Sequence, residues 1–337
     1  MTKRLGKQTV KFSLPPSILI GASVVGKKEG EGPLKNSFDM VEPDTTFGES
    51  RWEMAESRMQ NICLLKAMEK GGISSNQLEY VFAGDLLNQC IGSAFALSSF
   101  NVPYIGIYGA CSNMAEGLML GAMLIDGGFA KITAAITSSH FCSAERQYRF
   151  PLEYGGERTP SSQWTVTGSG CVILSENSGG PYITHATAGK ITDKGIADAS
   201  NMGAAMAPAA YETITAFFGD TGTRPDDFDA VITGDLGHIG RSILNDFFES
   251  EGIKLREKLK DCGVMIFNAE EQRVGAGGSG CGCSAAVLAG HIIGRMKSGR
   301  WNRVLFCGTG ALLSQISSQQ GSSIPSICHA VCISNER

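Results

Sequence analysis

Short apolar runs bounded by Gly, Pro, Ser and Asn alternate along this chain with longer segments of helical period. In the first half the runs Ser17–Val25, Tyr80–Ala83, Tyr104–Tyr108, Ile132–Thr137 and Cys171–Ser175 are predicted as strands, with helices over Glu56–Lys70 and Cys111–Asp126. In the second half the predicted strands are Tyr182–Ala188, Ala230–Thr233, Val264–Phe267, Val304–Cys307 and Ser326–Ile333. Helices are predicted there over Ala209–Phe218 and Gly282–Met296. Helices that join strands of one sheet imply right-handed crossovers and a largely parallel, helix-covered sheet.

The pattern repeats. When Cys111 is laid on Cys283, the segment Cys111–Ser138 matches Cys283–Gly310 without a gap. A second match lays Gly72–Leu86 on Gly222–Leu236, and both copies close in Gly-Asp-Leu. The two offsets differ, which places an insertion in the second half between Leu236 and Cys283. Two matches in the same order favour duplication over chance likeness of generic βα units. The chain is therefore divided into halves at residues 1–180 and 181–337. Stacked with their central helices between the sheets, the halves would bury Gly117–Leu124 and Ala285–Ile293, which explains why both helices are apolar and rich in Gly and Ala.

Two segments fall outside the repeat. Gly26–Ser50 reads as a surface loop. The excursion 139–163 of the first half combines Arg146, Arg149 and Arg158 with Phe141, Tyr148, Phe150 and Tyr154. A cationic, aromatic excursion after a strand's C-terminal end is where α/β proteins place ligand contacts.

Composition narrows the possibilities. The 337 residues are 42% hydrophobic and 18% charged, as in a well-buried globular chain. A net charge of -4 argues against broad nucleic-acid binding. Eleven cysteines, an odd number without regular spacing, fit a reducing compartment better than a disulfide framework. Cys281 and Cys283 form a C-x-C with no companion pair, so no metal site is expected. The basic N-terminus is followed by an apolar run broken by Pro15, Pro16 and Gly21 and reads as a first strand, not a signal peptide. No segment reads as spanning a bilayer.

Among residues that could carry chemistry, Cys111 stands out. It lies in Tyr108-Gly109-Ala110-Cys111-Ser112-Asn113, between a strand and a long helix. A helix N-terminus lowers a thiol's pKa and also accepts a carboxylate oxygen from a ligand. His140, at the end of the following strand, is a candidate for lining the same pocket. His238 follows Gly234-Asp235 and reads as a solvated or capping residue, while His185, His291 and His329 read as structural. Asp85 and Asp235 occupy equivalent positions, which favours turn capping for both, although Asp235 also lies near the pocket. Glu249–Glu251 and Lys254–Lys260 read as one polar, solvated helix.

The Gly-Ala-Cys element before the helix, Gly168-Ser169-Gly170-Cys171-Val172-Ile173-Leu174 and Cys307-Gly308-Thr309-Gly310-Ala311-Leu312-Leu313 resemble landmarks of the thiolase superfamily. That resemblance implies an α/β, thiolase-like fold of two duplicated halves in five layers, αβαβα. It also implies that Cys111 matches the nucleophile of acyl-condensing members, and that Cys307 matches the cysteine of their C-terminal Cys-x-Gly motif. Condensing members need a basic partner, usually His. Where ketoacyl-synthase relatives carry that histidine, this chain has Gly234-Asp235. Near the second central helix, where others place His or Asn, it has Cys281-Gly282-Cys283.

Over its full length the chain is similar to a sporulation branch of this superfamily in spore-forming Firmicutes. That similarity implies a non-enzymatic protein, without a cofactor, that binds pyridine-2,6-dicarboxylic acid (dipicolinic acid), alone or with calcium. Its expected partners are other SpoVA proteins at the membrane, its expected place the developing spore, peripheral to the inner spore membrane, and its default state a homodimer. A planar dianion needs donors at each carboxylate and a flat wall for the ring. Cys111, Ser112, His140, Arg146, Tyr148, Arg149, Gly308, Thr309 and Gly310 are the candidate ligand contacts. The alternative is an acyltransferase that carries its acyl group on Cys111, with Cys307 as proton shuttle.

Overall fold

The computed structural model describes residues 3–148, 158–255 and 257–337. Up to residue 175 its strands are β1 (Arg4–Leu5), β2 (Thr9–Lys11), β3 (Ser17–Gly26), β4 (Met40–Glu42), β5 (Tyr80–Gly84), β6 (Tyr104–Gly106), β7 (Ile132–Ser139), β8 (Trp164–Thr165) and β9 (Gly168–Ser175). Beyond it come β10 (Tyr182–Thr187), β11 (Ala230–Thr233), β12 (Leu259–Asp261), β13 (Gly278–Ser279), β14 (Arg303–Ala311) and β15 (Ser326–Ser334). The helices are α1 (Trp52–Gly71), α2 (Ile91–Leu97), α3 (Asn113–Asp126), α4 (Phe141–Tyr148) and α5 (Met202–Thr221). They are followed by α6 (Gly237–Ser250), α7 (Cys262–Ile266), α8 (Cys281–Val287), α9 (Ile293–Lys297) and α10 (Gln315–Gln319).

The strand order is β6-β5-β7-β9-β3 in the first half and β12-β11-β14-β15-β10 in the second. The two five-stranded sheets therefore have the same topology. They touch where Tyr182 of β10 pairs with Ser17 of β3. In each, the three strands at the outer edge pair in parallel, but β9 and β15 are inserted antiparallel to both neighbours. The expected largely parallel sheet is thus a mixed one. Antiparallel neighbours need no crossover helix to join them.

Three clusters of buried side chains separate the layers. Met59 and Leu64 of α1 cover the outer face of the first sheet, against Val81, Ile136 and Ile173. Phe217 of α5 packs with Phe228, Val231 and Leu305 on the outer face of the second. Between the sheets, Met114, Leu118 and Ala122 of α3 meet Val287, Leu288 and Ile292 of the α8 run, together with Val172, Phe306 and Val331. The result is five layers, with α3 and α8 in the middle. Leu118 is fully buried there, and truncation to Ala at such a position costs about 2–5 kcal/mol. The packing leaves no room for side chains at some strand positions. A methyl group on Gly170 of β9 would lie 2.1 Å from the carbonyl oxygen of Ala285.

Several expectations need correction. Gly26–Ser50 is not a simple surface loop, because β4 pairs with β3 and Glu29 is buried. The third strand of the second half is Leu259–Asp261, parallel to β11, and not Val264–Phe267, most of which forms α7. Lys254–Lys260 is not helical: α6 ends at Ser250 and Lys260 sits inside β12. One buried leucine in a charged stretch gave that strand no periodic signal.

Candidate functional site

Cys111 sits in a single 3-10 turn, Ala110–Ser112, that leads directly into α3. Ala110 holds a left-handed φ of 51°, a conformation a residue with a Cβ adopts only under constraint. The constraint is visible. The Asn113 side chain accepts from the Gly109 N–H at 2.6 Å, and the Ser112 hydroxyl donates to the Gly109 carbonyl at 2.7 Å. From the other half, β14 closes on the turn so tightly that a methyl on Gly310 would lie 2.6 Å from the Gly109 oxygen. The sequence thus aims Cys111 from a rigid corner where the halves meet.

The thiol faces Asp235. This residue, expected to cap a turn and also to lie near the pocket, is fully buried just beyond β11. Its Oδ1 accepts from the Thr309 hydroxyl at 2.8 Å. Its Oδ2 accepts from the Gly280 N–H at 2.9 Å and the Ser279 hydroxyl at 3.2 Å. Burial pushes the Asp235 carboxyl up to about 6, against the hydrogen bonds it accepts from Cys111, Gly280 and Thr309. Burial, and then the Asp235 charge, push the Cys111 thiol well above the ordinary thiol range. The expectation of a helix-activated thiolate is therefore overturned: a desolvated sulfur beside a carboxylate keeps its proton.

The pocket in front of this pair encloses about 660 Å3 of empty space out to its mouth. Leu86, Ala144, Ala199, Met202, Ala311 and Leu313 make it mostly apolar, and Glu145, Tyr148, Gln163, Thr165 and Ser279 supply polar atoms. Gln163 donates to the carbonyls of Asp235 at 2.7 Å and Gly278 at 3.0 Å, leaving its Oε1 buried without a partner. At the rim Arg158 binds Glu145 at 2.6 Å and donates to the Gln163 carbonyl at 3.0 Å. Beside it Phe141 stacks on Trp164 with centroids 4.1 Å apart, and Lys28 lies 4.2 Å above the Trp164 ring.

Of the residues singled out from sequence, Cys111 and Tyr148 line this pocket. The Tyr148 hydroxyl donates to the Leu86 carbonyl at 2.5 Å. Thr309 belongs to the site indirectly, through Asp235. Ser112 is turned back onto Gly109, and Gly308 packs on α3, where a methyl would meet Ala115 at 2.8 Å. Gly310 gives close backbone approach. His140 does not line the pocket. Its Nε2 bonds the Thr45 carbonyl at 2.8 Å, its Nδ1 accepts from the Cys142 N–H at 3.2 Å, and its ring stacks on Trp52.

Arg146 is also drawn elsewhere, to Glu53 of α1 at 2.5 Å. Cys307 is buried in the apolar cluster under α5, against Cys328, and does not reach Cys111's pocket. Arg149 lies outside the described residues. His238 is exposed on a separate shallow surface near Phe267 and Asn268.

Behind the pocket lies a second acidic group. Glu56 accepts from the hydroxyls of Ser138 at 3.1 Å and Ser143 at 2.6 Å, and burial pushes its carboxyl up to about 8, helped by nearby Asp85. Asp85 does cap its turn, accepting from the Leu87 and Ser93 N–H groups at 2.8 and 2.7 Å. Cys281 is buried between these groups and donates to the Ser138 carbonyl at 3.0 Å. The center is therefore a thiol ringed by acids. It can hold protons and offer oxygen ligands, and among the described residues its lining contains no histidine, the usual basic partner of condensing chemistry.

Residues 6–334 match the family model described as stage V sporulation protein AD. The curated stage V sporulation protein AD of Bacillus subtilis (strain 168) is 41% identical over 329 residues, covering 98% of this chain and 97% of that protein. Among solved structures, 3-oxoacyl-[acyl-carrier-protein] synthase III from Aquifex aeolicus VF5 superposes with a TM-score of 0.59 at 13% identity, over 95% of this chain and 99% of that one. Cerulenin-bound OleA of Xanthomonas campestris gives a TM-score of 0.60 at 12% identity, over 98% of this chain and 100% of that one. The last two share the fold and little sequence. The chain therefore belongs to the stage V sporulation protein AD family, a sporulation protein carried on a thiolase-like fold.

Proposed function

We propose that this protein binds dipicolinic acid, alone or as its calcium chelate, in the Cys111 pocket and supports its uptake into the developing spore together with SpoVA membrane proteins. The observation that supports the reading is the Cys111–Asp235 contact, a carboxyl where condensing relatives carry a histidine. The pocket itself persists, and its mostly apolar lining suits an aromatic ring. Among the described residues its lining holds no lysine or arginine, and Arg158 is already neutralised by Glu145. A dianion enters such a pocket best with its charge compensated. The calcium chelate meets that need: its cation would compete with Arg158 for Glu145, and the Gln163 Oε1, without a partner among the described residues, presents a second hard oxygen. The reading places the protein at the periphery of the inner spore membrane; no helix among the described residues is long and apolar enough to cross a membrane. Half-exposed Tyr104 and Ile105 on the edge strand β6 suit a homodimer through the first sheet.

Calorimetric titration tests the reading. Saturable binding of calcium dipicolinate is expected, weakened about tenfold or more by Glu145→Gln with Gln163→Ala. Absence of saturable heat with either form of the ligand overturns it. The acyltransferase alternative is tested by intact mass after incubation with acyl-CoA. A Cys111 adduct that turns over would establish the enzyme.

A further inference from the structure

A second cleft lies in the other half and shares no residue with the Cys111 pocket. Its empty space is about 800 Å3 out to the mouth, and its walls include Arg241, Lys260, His291, Arg295, Trp301 and Glu257. Between α8 and α9 the helix opens into one π-helical turn, Leu288–Ile292, that carries His291. Such turns are uncommon and often mark functional positions. The Arg295 Nε donates to His291 Nε2 at 2.9 Å, and its guanidinium lies over Trp301, 5.0 Å from the ring center. That bond needs the lone pair on Nε2, so Nδ1 carries the proton and faces the Ser37 hydroxyl at 3.2 Å. Burial, helped by the Arg295 charge, holds His291 neutral, down at about 4.

Arg295 is thus held at its Nε and on one face, with its two terminal nitrogens left over. Among the described residues neither Arg241, Lys260 nor Arg295 has an ion-pair partner. The opposing carboxylates are few. Glu257 is exposed, while the buried Asp261 spends both oxygens on Thr233, Leu236, Gly237 and Val264. Three unpaired cations in one concavity, on a chain of net charge -4, form a local positive site. An oriented guanidinium flanked by a second arginine and a lysine matches the spread oxygens of a phosphate group.

We propose that this cleft binds a phosphate-bearing anion, either a soluble phosphate compound or the headgroup of an anionic lipid. The site is independent of dipicolinate binding. The test titrates the full chain with inorganic pyrophosphate and, separately, sediments it with phosphatidylglycerol–phosphatidylcholine vesicles, using wild type, Arg295→Gln and Lys260→Gln. Saturable binding of at least one probe is expected, weakened about tenfold or more in both variants, with melting temperature and dipicolinate titration unchanged. Pyrophosphate binding alone assigns a soluble ligand; sedimentation with the acidic vesicles, lost in the variants, assigns the headgroup. Failure of both probes to bind wild type, or unchanged binding in both variants, overturns the proposal.

Discussion

Cys111 and Asp235 come from different halves of the chain, and their chemistry exists only where those halves meet. Asp235 raises the cost of removing the Cys111 proton, so the sulfur is expected to react sluggishly with alkylating reagents. Asp235→Asn removes the charge and keeps one side-chain oxygen to accept from the Gly280 N–H, while its NH2 can donate to the Thr309 hydroxyl. Each unit by which the thiol pKa falls is a tenfold gain in thiolate, so iodoacetamide labelling of Cys111, followed by peptide mass mapping, is expected to speed up about tenfold. An unchanged rate would show that burial alone quiets the thiol. At this scale the sequence was readable only in part. Gly-Ala-Cys before an apolar helix marked Cys111, and the tyrosine of the excursion marked Tyr148. Asp235 looked like the twin of Asp85, but only Asp85 caps its own turn; the N–H groups of Leu236 and Gly237 go to Asp261 instead. What separates them is Thr309 and Ser279–Gly280, brought in from remote segments, and no local pattern carries that. Gln163, Ala199 and Met202 reach the pocket for the same reason.

Among the elements, the central helices explain most of the glycine and alanine in the two repeated segments. The α8 backbone runs against β9 so closely that Gly170→Ala would press a methyl into the Ala285 carbonyl, 2.1 Å away. Backbone cannot step aside as a flexible side chain can, so a loss of about 1–3 kcal/mol or more is expected, read as a lower denaturation midpoint in urea. A variant as stable as wild type would mean that the layers can part without penalty. Element type was largely legible because apolar runs and helical periods were long. Order within the sheet was not. The antiparallel insertion of β9 and β15 depends on how the chain returns, and an apolar run reads the same in either direction. Strand β12 was missed because a short element beside a charged stretch leaves one buried leucine to detect.

The whole molecule carries several acids whose affinity for a proton burial raises. Glu29 is pushed up to about 7, Glu56 to about 8 and Asp235 to about 6. Each binds its proton more tightly folded than unfolded, where ordinary carboxyls titrate near pH 4. Their contribution is therefore complete below the ordinary carboxylate range and is lost as pH rises through about 6, 7 and 8. The melting temperature is expected to fall between about pH 5 and about pH 9, with Glu56→Gln flattening the upper part of the curve by about 2–4 °C per kcal/mol recovered. Scanning calorimetry across that range checks it; a melting point that climbs toward alkaline pH would contradict the assignment.

The sandwiching of α3 and α8 has a consequence for how such a chain could have arisen. Either half made alone would leave its middle helix bare on one side, with a glycine-floored strand surface waiting for a neighbour. A half-length unit is therefore expected to need a second copy to cover that face. Splitting the gene in the linker before β10 is accordingly expected to give two insoluble fragments that become soluble when produced together.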